Sequence, residues 1–539
     1  MPVPTSDAAN PFSAGSATAC ESPVGSPTSG AFSPQDAGLA ASPSCIPPAH
    51  PARTLVLCFD GTGDQFDADN SNVVQFFSML KKDDRRQQMV YYQAGIGTYV
   101  TPQIATPFAS KISKTLDEMI AWNLDAHVMG GYEFLMQNYE AGDKICIFGF
   151  SRGAYTARAL AGMIHKVGLL PTCNHQQVPF AYKMYTRTTP LGWAQSTLFK
   201  KAFSMDVDIE FIGVWDTVCS VGLFSRRLPF TTSNMSVKTF RHAVSLDERR
   251  AKFKANLFNW PQEEERRLGT QPGDMPKAGQ NEDQVHLSGF NESKPAATAA
   301  DKKDDKTKKS SVLSKFSNMS RHNSVDDRQR QREMERQFSE QERRALETDV
   351  LEVWFAGCHC DVGGGSVSND TRHSLARIPL RWMVRQCFMA NTGIRFHAEL
   401  LRGIGLDPAV LYPVVHDRSE ALYYTPSAPV PDGTTDARLS EEEEDLADAL
   451  SPVYDQLALA RSWWVLELLP MRHRVQRTAD GRWETDVYAN MGRARVIPKQ
   501  ETHPVYVHRS VKMRMEAERA AGRVYEPRAR FDVEPTWVA

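Results

Sequence analysis

The chain has 539 residues, enough for one large catalytic domain with additions or for two or three ordinary domains. Hydrophobic residues make up 41% and charged residues 24% of the chain, a composition that excludes a wholly disordered protein. The 63 Lys and Arg residues nearly balance the 65 Asp and Glu residues, and the formal net charge of -2 argues against nucleic acid as a partner.

Residues 1–52 are predicted to be a disordered tail, because Ser, Pro, Ala, Gly and Thr dominate them and bury too little apolar surface to offset chain entropy. They contain no Lys, no Arg and no apolar run of the secretory type, so we expect no signal peptide. The sequence predicts no transmembrane segment and leaves peripheral membrane contact open. The nine scattered cysteines fit a reducing compartment, and we expect a cytoplasmic location.

Residues 53–262 are predicted to be the first part of an α/β domain. Short apolar runs that stop at Gly or Asp indicate buried parallel strands, and helix-period segments separate them. The predicted strands cover 54–59, 90–94, 144–148 and 208–215, and the predicted helices cover about 114–140 and 152–167. This alternation predicts a doubly wound, mostly parallel sheet.

Residues 263–347 are predicted to be a charged, disordered insertion, because they are rich in Gln and charge and poor in aromatic residues. A short motif that ends at Ser324 is similar to a basophilic kinase site, so phosphorylation of Ser324 stays open. Protein partners of the insertion are unknown at this stage.

Residues 348–398 are predicted to complete the α/β domain with a strand over 350–355. Residues 399–539 are predicted to be a C-terminal extension that packs on the α/β domain. Within this extension, we expect Trp463 and Trp464 to lie against the catalytic domain or to line an acyl site, because the segment also carries a glutamate.

The sharpest motif is Gly149-Phe150-Ser151-Arg152-Gly153, a G-x-S-x-G between a predicted strand and a predicted helix. This is the context of a nucleophile elbow, in which a strained turn exposes a serine hydroxyl at the carboxyl end of a sheet. Side chains at the flanking positions would collide in so tight a turn, which accounts for the two glycines. A turn with an incidental serine is the alternative; we predict that Ser151 is the nucleophile.

A nucleophilic serine needs a base, and the base needs an orienting acid. Asp216 and His359 follow two predicted strands, in the Ser-Asp-His order of many α/β enzymes. The carboxyl ends of parallel strands meet at one edge of the sheet, so we expect both residues near the serine. The alternatives are a loop-capping role for Asp216 and a structural role for His359, with His242, His503 and His508 as competing bases.

The loop over residues 60–63 has two interpretations. The amide of Gly61 or Thr62, together with the Arg152 amide after the nucleophile, is the predicted oxyanion hole. A strand that ends in Asp-Gly-Thr is also typical of aspartate-nucleophile phosphatases that bind Mg²⁺, but position 58 is Cys58 where a second aspartate is needed.

The alternation Cys358-His359-Cys360 is a weak metal motif, because alternate residues of an extended chain point in opposite directions and no second ligand pair follows. We therefore expect no metal and no cofactor.

Five motifs together resemble one known family. They are Phe59-Asp60-Gly61-Thr62-Gly63, Gln93-Ala94-Gly95-Ile96-Gly97-Thr98, the segment from Gly149 to Arg158, Val214-Trp215-Asp216-Thr217-Val218, and the segment from His359 to Gly365. The family is the uncharacterised α/β-hydrolase domain family of fungi and bacteria, whose bacterial relatives include phospholipase effectors of type VI secretion. The resemblance covers about residues 54–385 and implies an α/β-hydrolase fold and an ester hydrolase. The family usually has Ser at the position of Cys360.

The sequence thus predicts a serine ester hydrolase, phospholipase- or lipase-like, with an ester or lipid as its substrate. Ser151 attacks the ester carbonyl, His359 is the general base, Asp216 orients the base, and acyl transfer to water completes turnover. The alternative is a catalytically weak scaffold with a hydrolase fold that presents a regulated insertion to partners.

Overall fold

The computed structural model describes residues 43–95, 124–218, 228–260, 269–270, 274–276, 347–424, 439–476 and 483–539. Several predictions fall largely outside these residues. They are most of the tail over 1–52, the start of the helix over 114–140, and the insertion over 263–347 with Ser324.

Eight parallel strands form one sheet at the centre of the described chain. The described residues contain twelve strands, of which β1 with β8 and β9 with β10 form two separate antiparallel pairs: β1 (Cys45–Ile46), β2 (Thr54–Phe59), β3 (Gln88–Gln93), β4 (Lys144–Phe150), β5 (Ile209–Trp215), β6 (Val237–Ser245), β7 (Asp349–Phe355), β8 (Phe396–His397), β9 (Pro470–Gln476), β10 (Trp483–Ala489), β11 (Tyr506–His508) and β12 (Thr536–Val538). The sheet order is β3-β2-β4-β5-β6-β7-β11-β12, with all neighbours parallel. The predicted α/β class with a mostly parallel sheet is confirmed.

Helices cover both faces of this sheet. They are α1 (Asn72–Met79), α2 (Leu124–Asn138), α3 (Ser151–Val167), α4 (Val178–Thr186), α5 (Pro190–Phe203), α6 (His359–Gly363), α7 (Arg377–Met389), α8 (Ala398–Gly403), α9 (Glu441–Ala449), α10 (Gln456–Leu459), α11 (Trp464–Leu468) and α12 (Arg509–Ala520). Among the described residues, no helix combines the length and the apolar character that a membrane crossing needs.

Strand β2 is almost entirely apolar because both of its faces are buried. Leu55 and Leu57 of β2 join the core formed with α2, α3, α4 and α5. Val56 and Cys58 point the other way and join the core formed with α1, α7 and α8. Alternate side chains of one strand thus enter opposite cores, as the two-residue period of a strand requires.

The strand order reverses beside β2, which lies between β3 and β4. A doubly wound sheet forms a crevice at such a point, where the loops that follow adjacent strands diverge. The loops after β2 and β4 contain the predicted oxyanion residues and Ser151, so the topology brings these two segments to one crevice.

Strand β6 is an element that the sequence did not reveal. Its nine residues include Lys238, Arg241 and His242, which interrupt the apolar pattern. Each of these side chains pairs with an acidic group of a neighbouring strand: Lys238 with β5, and the other two with β7. The partners make polar residues tolerable inside the sheet.

The C-terminal extension contributes two strands to the same sheet. β11 pairs with β7 through Tyr506 and Val507, and β12 pairs with β11. At the other end of the chain, β1 pairs with β8, and Ile46 is buried. The predicted tail over residues 1–52 therefore includes a strand, β1. The sequence did not reveal this strand, because two apolar residues inside a Pro-rich and Ser-rich segment are too few to show a two-residue period.

Candidate active site

Ser151 lies at the junction of β4 and α3, the strand-to-helix turn that the motif predicts. Its φ of 58° is a left-handed conformation, which is uncommon for a residue with a side chain. A Cβ on Gly149 would lie 2.5 Å from the Gly153 carbonyl oxygen, and a Cβ on Gly153 would lie 2.2 Å from the Phe59 carbonyl oxygen. Both positions therefore need glycine, and the contact with Phe59 places the turn directly beside the end of β2.

The structure brings the three predicted side chains into one hydrogen-bonded row. His359 Nε2 lies 2.7 Å from Ser151 Oγ, and His359 Nδ1 lies 2.5 Å from Asp216 Oδ2. All three are buried, with exposed fractions of 5% for Ser151, 3% for His359 and 0% for Asp216. The carboxylate only accepts, so the pattern fits a proton on Nδ1 and an unprotonated Nε2 that accepts from the serine hydroxyl.

Hydrogen bonds with β6 fix the acid, and a local cap at the start of α6 fixes the base. Asp216 follows β5, and its amide donates to the Ala243 carbonyl at 2.7 Å, while Ser245 N donates to its Oδ1 at 2.9 Å. His359 begins α6, whose first turn is capped by Asp361 through a bond from Cys358 N at 2.8 Å. Asp216 and His359 thus follow β5 and β7, the two strands on either side of β6, at one edge of the sheet.

The surroundings of the row lower the pKa values of both Asp216 and His359, but for different reasons. Burial alone would raise the pKa of Asp216, but the charge of Arg495 and the hydrogen bond with His359 lower it far below its usual range. Burial lowers the pKa of His359, and this effect exceeds the opposing effect of its bond to Asp216. At neutral pH the row therefore holds an ionised acid and a neutral imidazole, which is the protonation state of a general base.

Arg495 is a residue of this site that sequence reasoning missed. Its guanidinium contacts both carboxylate oxygens of Asp216, Nη1 with Oδ1 at 2.5 Å and Nη2 with Oδ2 at 2.8 Å. It lies in an irregular part of the C-terminal extension, outside every motif, and no signal in the sequence distinguishes it from the other arginines.

An aromatic and charged shell packs on the ring of His359. The rings of Phe150 and Phe253 lie 4.6 and 4.8 Å from it, centroid to centroid. Trp463 packs edge-on against Phe253 at 5.5 Å, and the guanidinium of Arg250 lies 3.6 Å from the Phe253 ring centroid. The Trp-rich segment thus contacts the residues around the site, where the sequence-based expectation put it.

The competing histidines have other surroundings. His242 Nε2 accepts from Thr217 N at 3.0 Å, so this histidine supports the loop that holds the acid. His508 is buried and stacks on Phe355. His503 is exposed, and its ring bonds the adjacent Thr502. Of the four candidates, His359 is the one that contacts Ser151 in the described chain.

The loop after β2 is organised by Asp60. Its buried carboxylate accepts from Gly61 N at 2.8 Å, Ser71 Oγ at 2.6 Å and Tyr92 OH at 2.7 Å. Burial raises the pKa of Asp60 despite these bonds. The three hydrogen bonds give Asp60 a structural role. One of them occupies the Gly61 amide, which the sequence suggested as an oxyanion donor.

One group of potential metal ligands occurs in the part of the chain that the structure describes. His373, Glu444 and Asp448 have ligand atoms within 4.8 Å of one another. Arg377 pairs with Glu444 at 2.9 Å and with Asp448 at 3.3 Å, and Arg381 pairs with Asp448 at 2.7 Å. Guanidinium groups already balance these carboxylates, so the cluster is an ion-pair network.

Fold and site together define an α/β protein with a Ser-His-Asp row at the carboxyl edge of a parallel sheet. The chain belongs to the family described as T6SS, phospholipase effector Tle1-like, catalytic domain, whose model matches residues 53–386. The matched residues include Ser151, Asp216 and His359 but end before Arg495.

A relative from Saccharomyces cerevisiae, the uncharacterized protein YEL023C, is 29% identical over 569 residues, covering 89% of this chain and 82% of the yeast protein. Two solved structures are also similar. An uncharacterized protein from Pseudomonas aeruginosa matches with 17% identity and a TM-score of 0.29, over 67% of this chain and 48% of that chain. The Tle1 effector bound to the VgrG spike of the type 6 secretion system matches with 18% identity and a TM-score of 0.20, over 42% and 49%. This chain spans about half the length of both solved chains.

Proposed function

We propose that this protein is a serine hydrolase of the α/β-hydrolase type that cleaves carboxylic esters of lipids, with phospholipids as the first class to test. The observation that carries the proposal is the row in which His359 bonds Ser151 at 2.7 Å and Asp216 at 2.5 Å. Membership of a phospholipase effector family supports the lipid substrate. A cytoplasmic location is part of the proposal.

In the proposed reaction, Ser151 Oγ attacks the ester carbonyl while His359 Nε2 takes the hydroxyl proton. Asp216 stabilises the imidazolium through its bond to Nδ1. His359 then gives the proton to the leaving alcohol, and an acyl-enzyme forms on Ser151. A water molecule, deprotonated by the same imidazole, releases the fatty acid and restores the serine.

The oxyanion of each tetrahedral intermediate is assigned to the Arg152 amide and to Thr62. Since the Gly61 amide donates to Asp60, Thr62 is the better candidate of the two loop residues that the sequence offered. Its hydroxyl oxygen is buried and has no hydrogen-bond partner among the described residues. A preorganised donor of this kind contributes on the order of 10²–10³ in kcat in other acyl-transfer enzymes.

Replacement of the nucleophile tests the proposal. Ser151→Ala is expected to remove labelling by a fluorophosphonate probe and to reduce hydrolysis of phospholipid vesicles and short-chain esters at least about a thousandfold. The fold should survive, because a missing hydroxyl leaves no large cavity. Ser78→Ala, at an exposed serine of α1, is the matched control.

Two results would overturn the proposal. The first is labelling that persists in Ser151→Ala. The second is a folded wild-type protein that neither reacts with the probe nor hydrolyses any ester of the panel, which would favour the scaffold. Hydrolysis that a chelator abolishes would indicate the Mg²⁺-dependent chemistry considered for the loop over 60–63.

A further inference from the structure

Arg495 contacts the proposed catalytic acid from a segment outside the residues that the family model matches. Its two terminal nitrogens bond the two oxygens of Asp216, at 2.5 and 2.8 Å. A paired contact between guanidinium and carboxylate fixes the plane of the carboxylate as well as its position. Arg495 is itself buried, with an exposed fraction of 4%, so solvent does not screen the pair.

The remaining bonds of Arg495 tie the site together. Its Nε and Nη2 donate to the Phe253 carbonyl at 3.1 and 2.5 Å, and its Nη1 donates to Ser245 Oγ at 2.7 Å. Each nitrogen of the guanidinium therefore has an acceptor. Because the Phe253 ring packs on His359 and Ser245 N bonds Asp216, Arg495 holds the neighbours of the base on two sides.

Arg495 can affect the base through Asp216, which contacts both residues. The charged groups that act on His359 are Asp216 after β5 and Glu248 and Arg250 after β6, whereas Cys358, Cys360 and Asp361 are its neighbours at the start of α6, and Arg495 pairs with Asp216. Glu248 accepts from His359 N at 3.2 Å but pairs with Arg250 at 2.9 Å. Asp216 raises the pKa of His359 through its hydrogen bond and its charge, and because Asp216 also pairs with Arg495, the guanidinium offsets part of that effect.

We propose that Arg495 is a positioning residue for the reaction: it fixes the Asp216 carboxylate beside His359 and offsets the charge of that carboxylate at the imidazole. The kinetic part of this inference rests on the proposed function, whereas the protonation part does not. Loss of a buried positive charge makes protonation of a nearby imidazole easier, so removal of Arg495 raises the pKa of His359.

The test compares Arg495→Met, which removes the charge, with Arg495→Lys, which keeps the charge and loses the paired contact. The His359 imidazole is titrated by NMR in full-length protein with ¹⁵N-labelled histidine, and its signal is assigned by its loss in His359→Gln. We expect Arg495→Met to raise the His359 pKa by about one unit and Arg495→Lys to leave it nearly unchanged. We expect kcat to fall about tenfold or more in both variants.

Arg493→Met is the matched control, because Arg493 is an exposed arginine of the same segment whose side chain packs over Tyr488. An unchanged His359 pKa in Arg495→Met would overturn the electrostatic part of the inference. An unchanged kcat in Arg495→Lys would overturn the positioning part, and this variant decides the matter if Arg495→Met does not fold. A shifted pKa in a protein without Ser151-dependent hydrolysis would refute the proposed function and uphold only the electrostatic part of the inference.

Discussion

Ser151 and Asp216 share a backbone feature that ordinary sequence patterns do not encode. Their φ angles are 58° and 40°, although neither is glycine. Such conformations cost about 1–3 kcal/mol each and persist where surrounding structure imposes them. Here the elbow imposes the first, and the bonds of Asp216 to Ala243 and Ser245 impose the second. Two strained residues that share His359 as a partner are what a site built for chemistry is expected to show.

The choice of base is tested by two substitutions. His359→Ala should reduce turnover about a thousandfold or more, because the proton of Ser151 then has no acceptor in the row. His503→Ala should cost less than about tenfold, because its ring is exposed and bonds Thr502. Both variants are measured on one activated ester with active sites titrated. If the His503 variant suffers the larger loss, the role of base passes to His503.

The sequence could predict that Ser151, Asp216 and His359 lie close together, because each follows an apolar strand and parallel strands bring such residues to one edge of the sheet. It could not predict Arg495, because nothing local marks an arginine whose partner lies far away along the chain. Charge neutralisation of a buried acid is a property of the folded state alone. The sequence likewise does not predict the hydrogen bond from the Gly61 amide to Asp60, because this bond depends on the conformation of the folded loop.

At the scale of elements, the turn around Ser151 packs directly against the end of β2, and no side chain fits between the two backbones. The missing Cβ of Gly153 would lie 2.2 Å from the Phe59 carbonyl oxygen and 2.3 Å from the Asp60 carbonyl oxygen. Both obstacles are backbone atoms of a central strand or its end, so neither can move without disturbing the sheet. This packing explains the second glycine of the motif better than turn geometry alone, because Gly153 already lies within α3.

A single methyl group at this contact should therefore be severe. Gly153→Ala is expected to lower the free energy of unfolding by about 3 kcal/mol or more, or to prevent soluble expression, through overpacking. Gly403→Ala is the control, since a Cβ there meets nothing within 4 Å, and it should change stability by less than about 0.5 kcal/mol. Thermal and denaturant unfolding of both proteins gives the comparison. Equal stability of the two variants would contradict the close contact.

At the scale of the whole molecule, buried ion pairs join the C-terminal extension to the family-matched part. Arg381 of α7 pairs with Asp445 at 2.6 Å and Asp448 at 2.7 Å of α9, and all three side chains are almost fully buried. A buried pair of this kind is costly to break, because one partner is left charged without compensation. The sequence predicted an extension that packs on the α/β domain but not its two strands in the central sheet. Strands β11 and β12 have three residues each and are too short to show a two-residue period.

Deletion of the C-terminal extension and deletion of most of the insertion should consequently have opposite effects on folding and activity. Removal of residues 399–539 should abolish soluble folding and activity, because β7 loses its neighbour β11 and Asp216 loses Arg495. Replacement of residues 277–346 by a Gly/Ser linker should leave a folded, active protein, because the entropic cost of closing a loop grows slowly with length. Residues up to 276 are kept, since Lys200 and Lys201 of α5 contact Thr270 and Asp274.

Soluble yield, cooperative thermal unfolding and Ser151-dependent labelling are measured on both deletions. A shortened chain without residues 399–539 that is folded and labelled would show that the family-matched part is self-sufficient. It would also show that Arg495 is dispensable for the nucleophile. Loss of cooperative unfolding on removal of residues 277–346 would instead show that the insertion packs into the core, against its charge pattern and its scarcity of aromatic residues.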